Sequence, residues 1–127
     1  MSIFDRMMER NADILAEKEQ AQVEVVRLSA AFGEPFIVTC APISQKQLAY
    51  VAEAAKNMQE QRIHFVLECC RVEGKKFTDK AFLDWTGCFK GEEVVKKLFR
   101  TGEISGLYNK VSELSGYGED AIKELKN

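Results

Sequence analysis

His64 stands five residues before the adjacent thiols of Cys69 and Cys70, and Cys40 and Cys88 supply two more. These are the side chains with the strongest intrinsic chemistry. A thiolate with an imidazole as its base can attack an acyl carbon, and sulfur with nitrogen can hold zinc. Neither use has its spacing here. Structural zinc sites pair cysteines as C-x-x-C, which the chain lacks, and no second ligand pair follows at metal-binding separation. All four cysteines lie in apolar surroundings, and adjacent cysteines bridge each other poorly, so reduced, buried thiols are expected, with no disulfide framework. His64 has no serine or acid signalled beside it and is expected as a partly buried, hydrogen-bonded residue rather than a base or ligand.

Other constellations fail on context. The G-x-G of SGYGED, residues 115–120, follows a predicted helix rather than a strand and lacks the third glycine and the lysine of phosphate-binding loops. Glu92 with Glu93, and Glu119 with Asp120, fall at predicted helix starts, where the helix dipole already favours acids. Phe77, Phe82, Trp85, Phe89 and Phe99 could line a small-molecule pocket, but closely spaced aromatics on short helices read as core. No catalytic, cofactor-binding or metal-binding residue is assigned, and the chain is not expected to be an enzyme.

The elements that would position any site follow from composition and pattern. With 127 residues, 46% of them hydrophobic, one domain spanning 1–127 with a real core is expected. A net charge of −2 gives neither a phosphate-tracking surface nor an anionic-membrane patch, so no nucleic-acid partner is expected. The N-terminal stretch lacks the apolar centre of a signal peptide, and no uncharged run approaches the roughly 20 residues a bilayer requires. A cytosolic protein with no membrane partner is the expectation.

The predicted class is α+β and mainly α, with five or six helices and one β-hairpin, roughly residues 23–43, after an N-terminal helix. Ser2 and Asp5 start that first helix, whose Phe4, Met7, Met8 and Leu15 recur at helical spacing before it fades in AEKEQAQ, residues 16–22. Two β-branched runs in VEVVRLSAAFGEPFIVTCAPIS, residues 23–44, flank a Gly-Glu-Pro breaker and read as a hairpin, with Phe36, Val38 and Cys40 on one face. A helix ending at Phe32, with Gly33 as its stop, is the other reading of the first run.

Ser44 and Gln47 form a capping box for a helix striped by Leu48, Val51, Ala52, Ala55 and Met58, running to about Gln59. RIHFVLECCRV, apolar nearly all round, suits a central helix. Thr78 can cap a short helix anchored by Phe82, Leu83 and Trp85 and ending near Gly87. GEEVVKKLF packs through Val94, Val95, Leu98 and Phe99. Thr101 and Glu103 start a helix striped by Ile104, Leu107, Tyr108, Val111 and Leu114. Gly116 stops it, and Tyr117 is expected to fold back on Val111. Gly106 within it suggests close approach of another backbone. A last turn carries Ile122 and Leu125, expected to face inward.

The element order and the wording of the C-terminal half resemble the XkdN-like tail assembly chaperones of contractile-tailed phages and prophages. The likeness begins at the hairpin and sharpens at FLDWTGCFKGEEVVKKLFRTGEISGLYNKVSELSGYGED, residues 82–120. There the family's helix-ending glycine, leucine-lysine helix end, Gly-Glu pair and leucine-x-x-glycine-aromatic close fall on Gly87, Leu98, Gly102 with Glu103, and Gly116 with Tyr117. It departs after the central helix, where Val72, Glu73 and Gly74 replace the family's usual proline.

The resemblance implies a non-enzymatic chaperone that keeps the tape measure protein soluble and brings it to tail tube subunits in the bacterial host cytoplasm, absent from the mature virion. In many such phages a frameshifted longer product carries the tape measure contact. Phe36, Ile37, Trp85 and Phe89 are the candidate partner contacts, because each is predicted beside a turn or edge. Self-association through an open hairpin edge is also expected. A generic helical adaptor or oligomerising structural protein is the alternative.

Overall fold

The computed structural model describes residues 2–16 and 19–126, and among these it holds seven α-helices and a three-stranded sheet, a mainly helical α+β fold as the sequence predicts. Helix α1, Ile3–Glu9, opens on the expected box: Asp5 N–H donates to Ser2 Oγ at 3.1 Å, and Ser2 N–H donates to the Asp5 carboxylate. A 3-10 turn follows at Ala12–Ala16. Of the polar run 16–22 in which this helix was expected to fade, Glu17 and Lys18 lie outside the described residues.

The two predicted strands are present and pair antiparallel. Strand β1, Ala21–Glu24, runs against β2, Ile37–Cys40, in a register from Ala21 opposite Cys40 to Glu24 opposite Ile37. Their connection differs from a simple hairpin. Residues 26–32 form helix α2, Val26–Phe32, ending at Gly33 in the left-handed conformation (φ 73°), so the helical reading of this run is correct beyond Val25. Leu28 is buried, and Arg27 donates to both carboxylate oxygens of Glu103 and to the Leu98 carbonyl, so the helix gains contacts that an extended run would not make.

Arg27 draws the Glu103 carboxyl below the ordinary carboxylate value, first through its hydrogen bond. A depressed native value makes the pair's stabilisation fully present above the ordinary carboxylate range and lost as pH falls through the lower native value. Both side chains are partly solvated, so the effect is modest. Glu103→Gln is therefore expected to lower stability at neutral pH, with the gap to the wild type closing at a pH below the ordinary carboxylate range. Urea melts at the two pH values check this.

A third strand, β3, Cys70–Arg71, lies on the other side of β2, which is thus central and not a hairpin edge. The sequence places these two residues in the central helix. That helix, now α4, Met58–Cys69, stops three residues short of the predicted Val72, and the extended Cys70 pairs opposite Cys40. Beyond β3, Val72 bridges Lys75 across a turn in which both Glu73 (φ 50°) and Gly74 (φ 79°) are left-handed, the conformation of a tight two-residue hairpin turn. A proline could not adopt it, which gives the departure from the family's usual residue a local reason.

Helix α3, Gln45–Ala54, starts at the predicted Ser44–Gln47 box but ends five residues before Gln59. Asn57 interrupts it: its side chain accepts from Glu60 N–H at 2.9 Å and starts α4. Helix α4 is the centre of the domain, with Ile63, His64, Phe65, Val66 and Cys69 buried, and it packs against α3 and two later helices, α6, Gly91–Leu98, and α7, Thr101–Ser112. Before these two in the chain, α5, Lys80–Thr86, is capped by Asp79, which accepts from Ala81 N–H, rather than by Thr78. Val94, Val95, Leu98 and Phe99 are buried as predicted, as are Ile104, Leu107 and Val111.

The close-approach glycine is Gly91, not Gly106. A Cβ on Gly91 would meet Thr78 Cγ2 at 2.7 Å and Leu67 Cδ2 at 2.8 Å, whereas one on Gly106 meets nothing within 4 Å. Gly91→Ala is expected to destabilise by about 1 kcal/mol through overpacking. Gly106→Ala should instead stabilise by about 0.5–1 kcal/mol through helix propensity, and denaturant midpoints of the two variants check the opposite signs.

Gly116 (φ 91°) ends the helical stretch as predicted. Tyr117 is exposed rather than the predicted cover for Val111. Ser115 makes the tie instead, donating to the Val111 carbonyl at 2.6 Å and accepting from Ile43 N–H at 2.9 Å. The last turn is not helical, and Ile122 and Leu125 face solvent, not inward. Two apolar residues in so short a segment do not hold a helix without a surface to pack on.

Candidate functional site

The reactive side chains are placed for packing. His64 is buried, with Nε2 3.6 Å from the Glu92 carboxylate and the Tyr50 ring edge-on to the imidazole. The Cys70 thiol donates to Cys40 Sγ at 3.7 Å inside the sheet, and that hydrogen bond together with burial holds it well above the ordinary thiol value. The same hydrogen bond draws the Cys40 thiol the other way, below the ordinary value. Among the described residues no group of three His, Cys, Asp or Glu side chains is placed to hold a metal ion, and no helix is long and apolar enough to cross a membrane.

The surface holds the more unusual feature. Phe32 closes α2, and its position is fixed by two bonds: Gly33 N–H donates to the Ser29 carbonyl, and Phe36 N–H donates to Ser29 Oγ at 2.8 Å. The turn between them is thereby drawn tight, and the two rings stack with centroids 6.2 Å apart. Phe36 is half-buried and meets the buried Phe99 edge-on at 6.2 Å, so it links the surface ring to the core.

Trp85 arrives from α5 and lies 6.1 Å from Phe32 across a tilted contact. Helix α5 is held by Lys97 Nζ, which donates to the Thr86 carbonyl at 2.8 Å, and by Thr86 Oγ1, which donates to the Phe82 carbonyl. Trp85 therefore sits on a fixed element yet remains 63% exposed, and with Phe32 at 52% the two rings present large aromatic area to solvent; Phe89 is exposed as well, at 91%. Phe89 lies in the turn between α5 and α6, four residues beyond Trp85. Phe82 and Leu83 pack on the core as predicted, but Trp85 does not anchor its helix.

Of the four sequence candidates, Phe36 and Trp85 are thus joined through Phe32, and Phe89 follows Trp85 on the chain. Ile37 stands on central strand β2, half-buried opposite Glu24, on the strand face away from the buried Val38 and Cys40. Phe32 was missed by the sequence reading of the site. An aromatic residue directly before a helix-stopping glycine was its available signal. Solvent-facing aromatics of this size on rigid supports have the make-up of a protein-binding surface.

The comparison with known families agrees with that class. The family of phage XkdN-like tail assembly chaperone proteins matches residues 4–126, nearly the whole chain, and the chain belongs to this family. No match was found among functionally curated proteins or among solved structures.

Proposed function

We propose that the chain acts as one tail-assembly-chaperone domain, without catalysis, that binds the tape measure protein and tail tube subunits in the host cytoplasm and is left out of the finished virion. The observation that carries this reading, beside family membership, is the exposed pair Phe32 and Trp85 on a face braced by Phe36 and Phe99, with Phe89 exposed in the turn that follows Trp85. A tape measure protein is a long helical client whose apolar stripes need cover until the tube closes around it. Rigid aromatics lose little conformational entropy on binding, and they match an amphipathic helix laid into a shallow surface. Phe36, Trp85 and Phe89 are assigned to that contact, with Ile37 at the strand beside it.

The test is co-expression of the chain, with and without any frameshifted extension, beside the tape measure protein encoded downstream, followed by affinity capture and an assay of client solubility. Rescue with co-purification supports the reading. An insoluble, uncaptured client with both forms overturns it in favour of a helical adaptor that binds itself or one folded partner.

A further inference from the structure

The N-terminal arm, residues 3–16, has no buried residue, yet Ile3, Phe4, Met7, Met8, Ile14 and Leu15 are all large, apolar and exposed. A seven-residue helix is marginal in water, well under the roughly 12–15 residues an isolated helix needs. Its stripe therefore calls for a surface, and its own domain does not provide one here. The arm joins the domain at Ala21, opposite Cys40, whereas Phe36 and Phe32 lie at the other end of the sheet, where Phe36 bonds Val25. Reaching its own aromatic face would require the arm to fold back over the length of β1, about 13 Å.

We propose that the arm of one copy docks on the Phe32–Trp85–Phe89 face of a second copy, and that reciprocal exchange closes a dimer. The apolar cleft of the arm, lined by Ile3, Met7, Met8, Ile14 and Leu15, also holds Arg6 and Arg10 and no acid. The arm as a whole carries Asp5, Glu9 and Asp13 beside those arginines, and the aromatic face is bordered by Lys90 as well as by Glu34 and Asp84, so net charge does not select the pairing and the contact is one of apolar side chains with local arginines. Arginine meets carboxylates and indole favourably, and methionine sulfur meets aromatic rings favourably. Area supports the pairing. At about 150–250 Å² per large side chain, the exposed fractions of the arm amount to roughly 700 Å² and those of the three rings to roughly 400 Å². Each copy in a reciprocal exchange contributes both, more than the about 800 Å² per partner of a standard interface.

The same face serves the client in the reading above, so the arm acts as a stand-in helix that covers the rings until a client displaces it. The self-association measurement contains no client, so its failure leaves the chaperone reading untouched, and failure of client capture leaves the dimer untouched.

The experiment is sedimentation of the full chain over a concentration series, with the tryptophan emission of Trp85, the single tryptophan, followed on dilution. Wild type is expected to dimerise, with emission shifting to the red as the dimer dissociates. Met7→Asp with Met8→Asp, and separately Trp85→Ala with Phe89→Ala, should each weaken association by at least about tenfold, with unchanged far-ultraviolet circular dichroism. Mixed together, the two variants should form a one-to-one heterodimer, because one retains the face and the other the arm. A monomeric wild type, an arm variant that still dimerises as tightly, or a mixture that fails to associate overturns the proposal.

Discussion

Trp85→Ala combined with Phe89→Ala is expected to weaken capture of the tape measure protein by about thirtyfold or more, equivalent to about 2 kcal/mol at a binding hot spot. The same variant should keep its unfolding free energy within about 0.5 kcal/mol of wild type, as exposed substitutions do. The separation follows from position. Trp85 and Phe89 are mostly solvent-exposed, and neither belongs to the core cluster or to the side chains packed directly on it. Removing them therefore deletes a contact surface without opening a cavity. Affinity capture of co-expressed client with urea melts of the purified variant checks both halves, and unaltered capture would remove these two residues from the interface.

Phe36 gives the opposite pattern, because its ring bridges the exposed Phe32 and the buried Phe99. Substitution there disturbs packing and binding together, so a loss of capture at Phe36 would not by itself identify a contact. The two types of residue were indistinguishable in the sequence, where each was an aromatic beside a predicted turn. Exposure separates them, and exposure depends on which elements happen to cover a turn.

Much of the fold was readable locally. The boxes at Ser2 and Ser44, the left-handed stops at Gly87 and Gly116, and the stripes of α6 and α7 each depend on neighbours within about one helical turn, and each fell where the pattern put it, while the stop at Gly33 belonged to the second of two readings. The errors share a different cause. Strand β3 exists because Cys70 meets Cys40, thirty residues away, and α2 is helical partly because Arg27 meets Glu103, seventy-six residues away. Gly91 needs its missing side chain because of Leu67 and Thr78. Pattern along the chain carries little information about such encounters. The candidate site was legible only as separate residues: Phe36, Trp85 and Phe89 were singled out, but the meeting of Phe36 with Trp85 through Phe32 depends on the Ser29 tie and on the contact of Trp85 with Phe32.

Phe77→Ala is expected to be the most damaging of the substitutions considered, costing about 3–5 kcal/mol as a buried phenylalanine truncated to alanine. Phe77 is fully buried between Phe82 of α5, at 5.3 Å, and Phe99 after α6, at 5.5 Å. Phe99 in turn supports Phe36, and Phe36 supports Phe32. The ring is thus the inner end of an aromatic chain that runs from the core to the proposed client face. A domain of this kind is stable by only about 5–15 kcal/mol, so the variant should lose a large part of its stability. Because the loss falls under the face, client capture should weaken even where the variant remains folded, with Trp85 emission shifted in the free protein. Phe77→Leu, which refills most of the cavity, should recover the greater part of the stability. If it restores the unfolding midpoint but not capture, the aromatic chain itself sets the geometry of the face. If capture returns together with stability, Phe77 acts only by holding α5 and α6 in place. Denaturant melts and capture assays on the two variants distinguish these outcomes.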